Sequence, residues 1–230
     1  MASSSAIISA AMHKRAPASS PLSSSTAGRV LDVAEHLMQT RGFNGFSYAD
    51  ISGELGISKA TLHHHFATKA KLGHALIERY SDNFRAALAA IDTSNSGAPQ
   101  RLERYVQLYR DVLSGNRLCL CGMLAAEYGT LPEPMQKSVR HFFDANETWI
   151  AGVIEQGRRA GVFQLRGSAA AVARMLLGAL EGAMLVARPF NDVERFSSAA
   201  RVALAGLKDS RHAASSSRQR RVARARAATA

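Results

Sequence analysis

Along the middle of this 230-residue chain, apolar side chains return every third or fourth position and never alternate with polar ones over a strand's length, so the pattern predicts helices throughout. The first is expected from Ala27 to Thr40, capped by Thr26, with Val30, Val33, Ala34, Leu37 and Met38 facing inward and Gly42 as its stop. A short helix follows from Ser47 to Leu55, with Ile51 and Leu55 on one face. Gly56 ends it, Ile57 fills the turn, and Ser58 caps another short helix running to Phe66. Thr68 then caps a long helix to about Ile91, whose Leu72, Leu76 and Ile77 close a small core also plugged by Phe43 and Phe46.

After a polar linker from Asp92 to Ala98 the same periodicity resumes. Helices are expected at Pro99 to Ser114, Leu120 to Gly129, Pro134 to Ala160, Ser168 to Ala187 and Asp192 to Leu207, punctuated by Gly115 and Asn116, the stretch from Leu131 to Pro134, Gly161, and Arg188 with Pro189. The fold class is therefore all-α: an N-terminal three-helix head joined by a long helix to a C-terminal helical bundle. The domains read as a leader at 1–25, a head at 26–72, a body at 73–207 and a basic tail at 208–230.

Two short helices joined through a glycine turn have the form of a helix-turn-helix. On the second of them Leu62 and Phe66 point one way. Lys59, Ala60, His63 and His64 fall within an arc of roughly 140° facing the other way. A face with a cation, a methyl and two imidazoles but no acid suits an anionic groove. The three consecutive imidazoles of His63, His64 and His65 do not make a metal site, because successive helix positions diverge by about 100°.

The net charge of +11 supports this reading less than its size suggests. Seven cations sit from Lys208 onward, so the high isoelectric point belongs mostly to the tail. That tail reads either as a salt-sensitive phosphate tether or as a solvated end. The Ser- and Ala-rich first 26 residues read as a disordered leader rather than a transit peptide. Two cysteines rule out a disulfide framework and suit a reducing cytoplasm. The segment from Ala169 to Val186 is interrupted by Arg174 and Glu181, so it is expected to be a buried bundle helix and not a membrane span. Neither a Ser-His-Asp order, an HExxH motif nor a phosphate loop occurs, which argues against an enzyme and for no cofactor.

From Ala27 to Tyr80 the chain resembles the TetR/AcrR family of transcriptional regulators, carried by Gly42, Phe46, Ile51, Leu55, Gly56, Ile57, Ser58, Leu62, His65, Phe66, Lys69 and Leu72. The resemblance implies a homodimer that binds a double-stranded DNA operator and answers to a small-molecule effector, most often as a repressor. Lys59 would reach guanine and Ala60 a thymine methyl, while Ser47, Tyr48, Ser58, Thr61, His63, His64, His65 and Lys69 complete the DNA surface, several of them on phosphates. Where the family commonly has two tyrosines, this chain has His63 and His64, whose charge varies with pH.

The resemblance also implies an effector pocket around Cys119, Cys121, Met123 and Glu127, walled by Tyr105, Tyr109, Phe142 and Trp149, with Glu181 as an ionisable candidate. The cysteines read alternatively as electrophile-sensing thiols or as small core residues. Small residues beside large apolar ones put Met175, Gly178, Ala179, Gly182, Ala183, Phe196, Ala200 and Ala203 at the implied dimer interface, the other reading being an internal hairpin. The rival functions are an acyl-binding all-α protein and a DNA binder that senses nothing.

Overall fold

The computed structural model describes residues 25–208. The expected leader and basic tail lie outside the described residues, apart from Ser25 and Lys208. Every regular element among the described residues is helical. The head contains α1 (Thr26–Arg41), α2 (Tyr48–Leu55) and α3 (Lys59–His65). Ser25 and not Thr26 caps α1, its hydroxyl accepting from the Gly28 amide at 3.0 Å; Ser25 has the extended backbone that a cap needs, and Thr26 is already helical. Ser47 caps α2 in a reciprocal box with Asp50, and Ser58 caps α3 through the Thr61 amide. Gly56 ends α2 at φ +65°, a left-handed conformation that a glycine adopts without strain.

These three helices enclose a small core of Val30, Ala34, Leu37, Met38, Ile51 and Leu62, closed by Phe43, Phe46, Leu72 and Leu76. The last two belong to α4 (Lys69–Asp92), which at 24 residues extends about 36 Å and leaves the head for the body. Arg79 of α4 holds α1 as well, its guanidinium pairing with Asp32 at 2.7 Å and Glu35 at 2.8 Å.

The body is built from α5 (Ala98–Ser114), α6 (Leu120–Ala126), α7 (Glu133–Arg159), α8 (Ala169–Ala187) and α9 (Val193–Gly206). α8 lies against α7 and α9, and α5 packs on α7 and α9 from the other side. α6 stops at Ala126, short of the expected Gly129, and gives way to a 3-10 turn at Tyr128–Thr130. Glu127, its cap residue, turns its side chain toward the head. α8 is long and apolar enough to cross a membrane by composition, yet only a third of it is buried, so it is not the wholly interior helix that the sequence suggested.

Head and body meet a second time, at the end of α1. The Leu118 amide donates to the Gln39 carbonyl at 3.2 Å and Arg117 to the Gln39 side chain at 3.1 Å. Arg188 donates to the Thr40 carbonyl at 2.6 Å. The Glu127 carboxylate accepts from the backbone amides of Phe43 and, at 3.2 Å, Asn44, whose side chain in turn reaches the Thr130 hydroxyl at 2.8 Å. Gly42 has φ +80°, and a Cβ there would lie 2.7 Å from the Glu127 carboxylate, so both its conformation and its neighbour call for glycine.

Candidate nucleic-acid interface and regulatory core

Burial orients α3. Leu62 is fully buried beneath it and Phe66 half-buried, which leaves Lys59, Ala60, His63, His64 and His65 exposed and Thr61 half-exposed. The outward face expected from the helical period is therefore the face presented to solvent. Ser47, Tyr48, Lys59, His63 and Lys69 gather around one shallow depression between the start of α2 and the joint of α3 with α4.

Not all of these groups are free to hold a phosphate. The Tyr48 hydroxyl donates its one proton to the Phe66 carbonyl at 2.7 Å, and its ring packs on His63 at 4.9 Å. Lys69 donates to the Phe46 carbonyl and sits over the Phe43 and Phe46 rings at 4.6 and 4.4 Å. Burial lowers its pKa, against the pull of Glu127 and Asp50. Both were expected on phosphates; the single Tyr48 donor is spent on Phe66, while one of the three Lys69 donors ties the α3–α4 joint to the loop before α2. Ser47 accepts the Ala49 amide in capping α2 and donates its own proton to Asp50 at 2.7 Å, while Ser58 accepts the Thr61 amide and lies 2.9 Å from the Thr61 hydroxyl.

In the body, the residues expected to line an effector pocket form a closed polar core instead. Tyr105, Tyr109, Cys119 and Cys121 are at most 2% exposed. Tyr105 donates to Asn146 at 2.9 Å and lies 3.1 Å from the Tyr109 hydroxyl; Tyr80 donates to the Cys119 sulfur at 3.8 Å; and the Glu181 carboxyl bonds with Cys119 and Tyr109. Three hydroxyls and one thiol thus have four protons for these five contacts.

Desolvation pushes the Glu181 carboxyl up to about 7 in spite of those bonds. Although the residue as a whole is only half-buried, its Oε1 is closed off from solvent and has no partner. A Cβ on Gly122 would run into this carboxyl. Burial first, and Glu181 next, raise both cysteine pKa values well above the ordinary thiol range. Arg117, two residues before Cys119, is turned to Gln39. Both thiols are therefore held protonated, which counts against an electrophile-sensing role.

Glu127 clamps the head and is no pocket wall, and Met123 is half-buried against Arg188. Phe142 and Trp149 of the expected set line an open cleft of about 240 Å³ between α4 and α7. Its floor is Asn146, which sequence reasoning passed over. The signal was there: Asn146 takes a core position in the stripe of Val139, Phe142, Ile150 and Val153, where a polar residue needs a reason. Gln39, 1% exposed at the grip on α1, was missed in the same way.

Of the expected dimer residues, Met175, Gly178, Ala179 and Gly182 are exposed, and Ala183 and Ala203 half-buried. Phe196 and Ala200 point into their own body at 0% and 2% exposure, because α9 turns that side onto α5 and α8. They drop out of the surface set. Leu185, Val186, Phe190 and Val202, outside the expected set, are each more than half exposed.

Residues 30–76 match the family of bacterial regulatory proteins called tetR, and residues 98–203 the tetracyclin repressor-like C-terminal domain. A TetR-family transcriptional regulator from Agrobacterium tumefaciens superposes with a TM-score of 0.77 and 32% identity, covering 80% of this chain and 97% of its own. For a TetR transcriptional regulator from Legionella pneumophila the values are 0.74 and 29%, over 80% and 98%. The HTH-type transcriptional regulator CymR of Pseudomonas putida is 28% identical over 138 residues, 57% of this chain and 67% of its own. The chain belongs to the TetR family of transcriptional regulators, and is a DNA-binding regulator with a C-terminal helical domain and not an enzyme.

Proposed function

We propose that this protein is a cytoplasmic, homodimeric repressor that reads a two-fold symmetric operator with α3 and leaves it when a small molecule binds the body. The observation that carries the reading is the division of α3, with Leu62 fully buried and Lys59, Ala60, His63 and His64 exposed. Lys59 donates to a guanine edge, Ala60 meets a thymine methyl, and the histidines together with Thr61 set the register on the backbone. The apolar side chains left open on α8, the turn after it and α9 support pairing of two copies; soluble chains seldom expose such a patch without a partner. Two-fold pairing sets half-sites one helical turn apart, or a multiple of it.

The response to ligand runs through the second joint. α6 and its flanks carry Cys119 in the polar core at one end and Glu127 on the head at the other. A shift of α6 changes the posture of α1 as well as that of α4, and a ligand need only prefer one body state by a few kcal/mol. Genome-wide footprinting gives the operator, and its measured affinity then tests the reading: Lys59→Ala relaxes discrimination at one base pair with a loss of ~1–3 kcal/mol. Unchanged discrimination at every position would refute the base-edge role.

A further inference from the structure

Between α4 and α7 lies a cleft that no part of the DNA-reading surface requires. Its inner walls are Phe84, Leu88 and Phe142, all buried, with Asn146 at the floor and Trp149 at one side. The rings are already arranged: Phe84 meets Phe142 edge to face at 5.2 Å, and Trp149 is stacked on Tyr105 at 5.4 Å. Its volume of about 240 Å³ is too small for a drug-sized ligand. An apolar cavity of about 150 Å³ admits benzene, so one ring with a short substituent fits.

Charge selects the substituent. Asp92, the acid on the rim, receives the Trp149 Nε1 proton at 3.0 and 3.1 Å and is paired with Arg101. No acid on the cleft is left to hold a cation. The rest of the mouth is made by Ser81, Arg85 and His141, all able to donate. Among the described residues the one partner of Arg85 is Asp82, at 2.7 Å with both side chains about two-thirds exposed, a weak pair that lets the guanidinium turn to a ligand.

We infer that this cleft binds a one-ring aromatic acid, its ring between Phe84, Phe142 and Trp149 and its carboxylate at the Arg85 mouth. The inference rests on the reading that the protein answers to a small molecule. It names where and to what class. Beneath the ring, Asn146 accepts the Tyr105 proton, which joins the cleft to the hydrogen-bonded chain ending at Glu181 and Cys119.

Trp149 is the chain's single tryptophan, so its fluorescence reports on this site. The full-length protein is titrated with benzoate, benzyl alcohol and benzylamine at constant ionic strength. Benzoate gives a saturable change, benzyl alcohol a weaker one and benzylamine none. Ala145→Phe, at an exposed lining position, fills the cleft and abolishes the response, and Arg85→Gln brings benzoate down to the level of benzyl alcohol. The assignment fails if benzoate gives no saturable change, if benzylamine matches it, or if the response survives in Ala145→Phe.

Release from operator DNA is measured separately. Benzoate bound in the cleft without freeing DNA upholds the site and overturns the regulatory reading beneath it. Another compound that frees DNA while Trp149 stays silent overturns the site and leaves that reading standing.

Discussion

Replacing Glu181 by Gln isolates the energetic role of the buried carboxyl. In the fold this group titrates at about 7, against an ordinary value of 4.5. Below the ordinary value both native and unfolded chains carry the proton and nothing is lost. As pH rises, the unfolded chain releases its proton first, and native stability falls until the folded group titrates too. Above about pH 8 the loss is complete, at up to about 3 kcal/mol, since each pKa unit corresponds to about 1.36 kcal/mol. Gln keeps an oxygen for Tyr109 and Cys119 and has no proton to lose. In a chain of this size the gain corresponds to an increase in Tm of roughly 5–10 °C at pH 8 and almost none at pH 4.5. Melting curves of parent and variant at the two pH values, at one protein concentration, measure it. A variant that gains equally at both, or gains more in acid, would show that the carboxyl is ionised in the native state and that the proton shortage in the polar core is a misreading.

Three further outcomes follow from the geometry. Glu127→Ala leaves the Phe43 and Asn44 amides without their acceptor at the second joint, and is expected to weaken operator binding with a stability loss of about 1–3 kcal/mol; an operator affinity equal to the parent's refutes the joint's role. Lys69→Ala removes the cation over two rings, so it should lower the Tm of the head while leaving the salt dependence of DNA binding nearly unchanged; a salt slope shallower by about one would restore the phosphate role. Leu185→Arg puts a charge on the open apolar face of α8 and should convert dimers to monomers in sedimentation; a persisting dimer places the interface elsewhere.

The helical period was enough to orient α3, because Leu62 and Phe66 are its large apolar residues and no competing face exists. The caps at Ser47, Ser58 and Thr68 were legible for the same local reason: each precedes an apolar run and accepts from a backbone amide within three residues. Partners chosen across the fold were not legible. Nothing near Glu127 in the chain announces that its acceptors' donors sit 83 and 84 residues away. Tyr48 looked like a free phosphate donor, and Lys69 like an untethered one, because the Phe66 and Phe46 carbonyls that each take a proton from them are backbone groups, invisible in a side-chain pattern. The aromatic stripes of α5 and α7 were read as cavity walls, but Tyr105 and Tyr109 fill the space between those helices with their own rings, and the opening was displaced to the α4 side.

Three of the residues on the outer side of α3 bear no load. Lys59, Ala60 and His64 are exposed, and removing their side chains would leave the hydrophobic centre of the head whole, since Leu62 beneath them does the anchoring. On the proposed base-edge reading, target preference and foldability are thereby written in separate letters of one short helix. Descendants of such a gene can acquire new addresses on the chromosome by changing three or four codons, without first having to rebuild the scaffold that presents them.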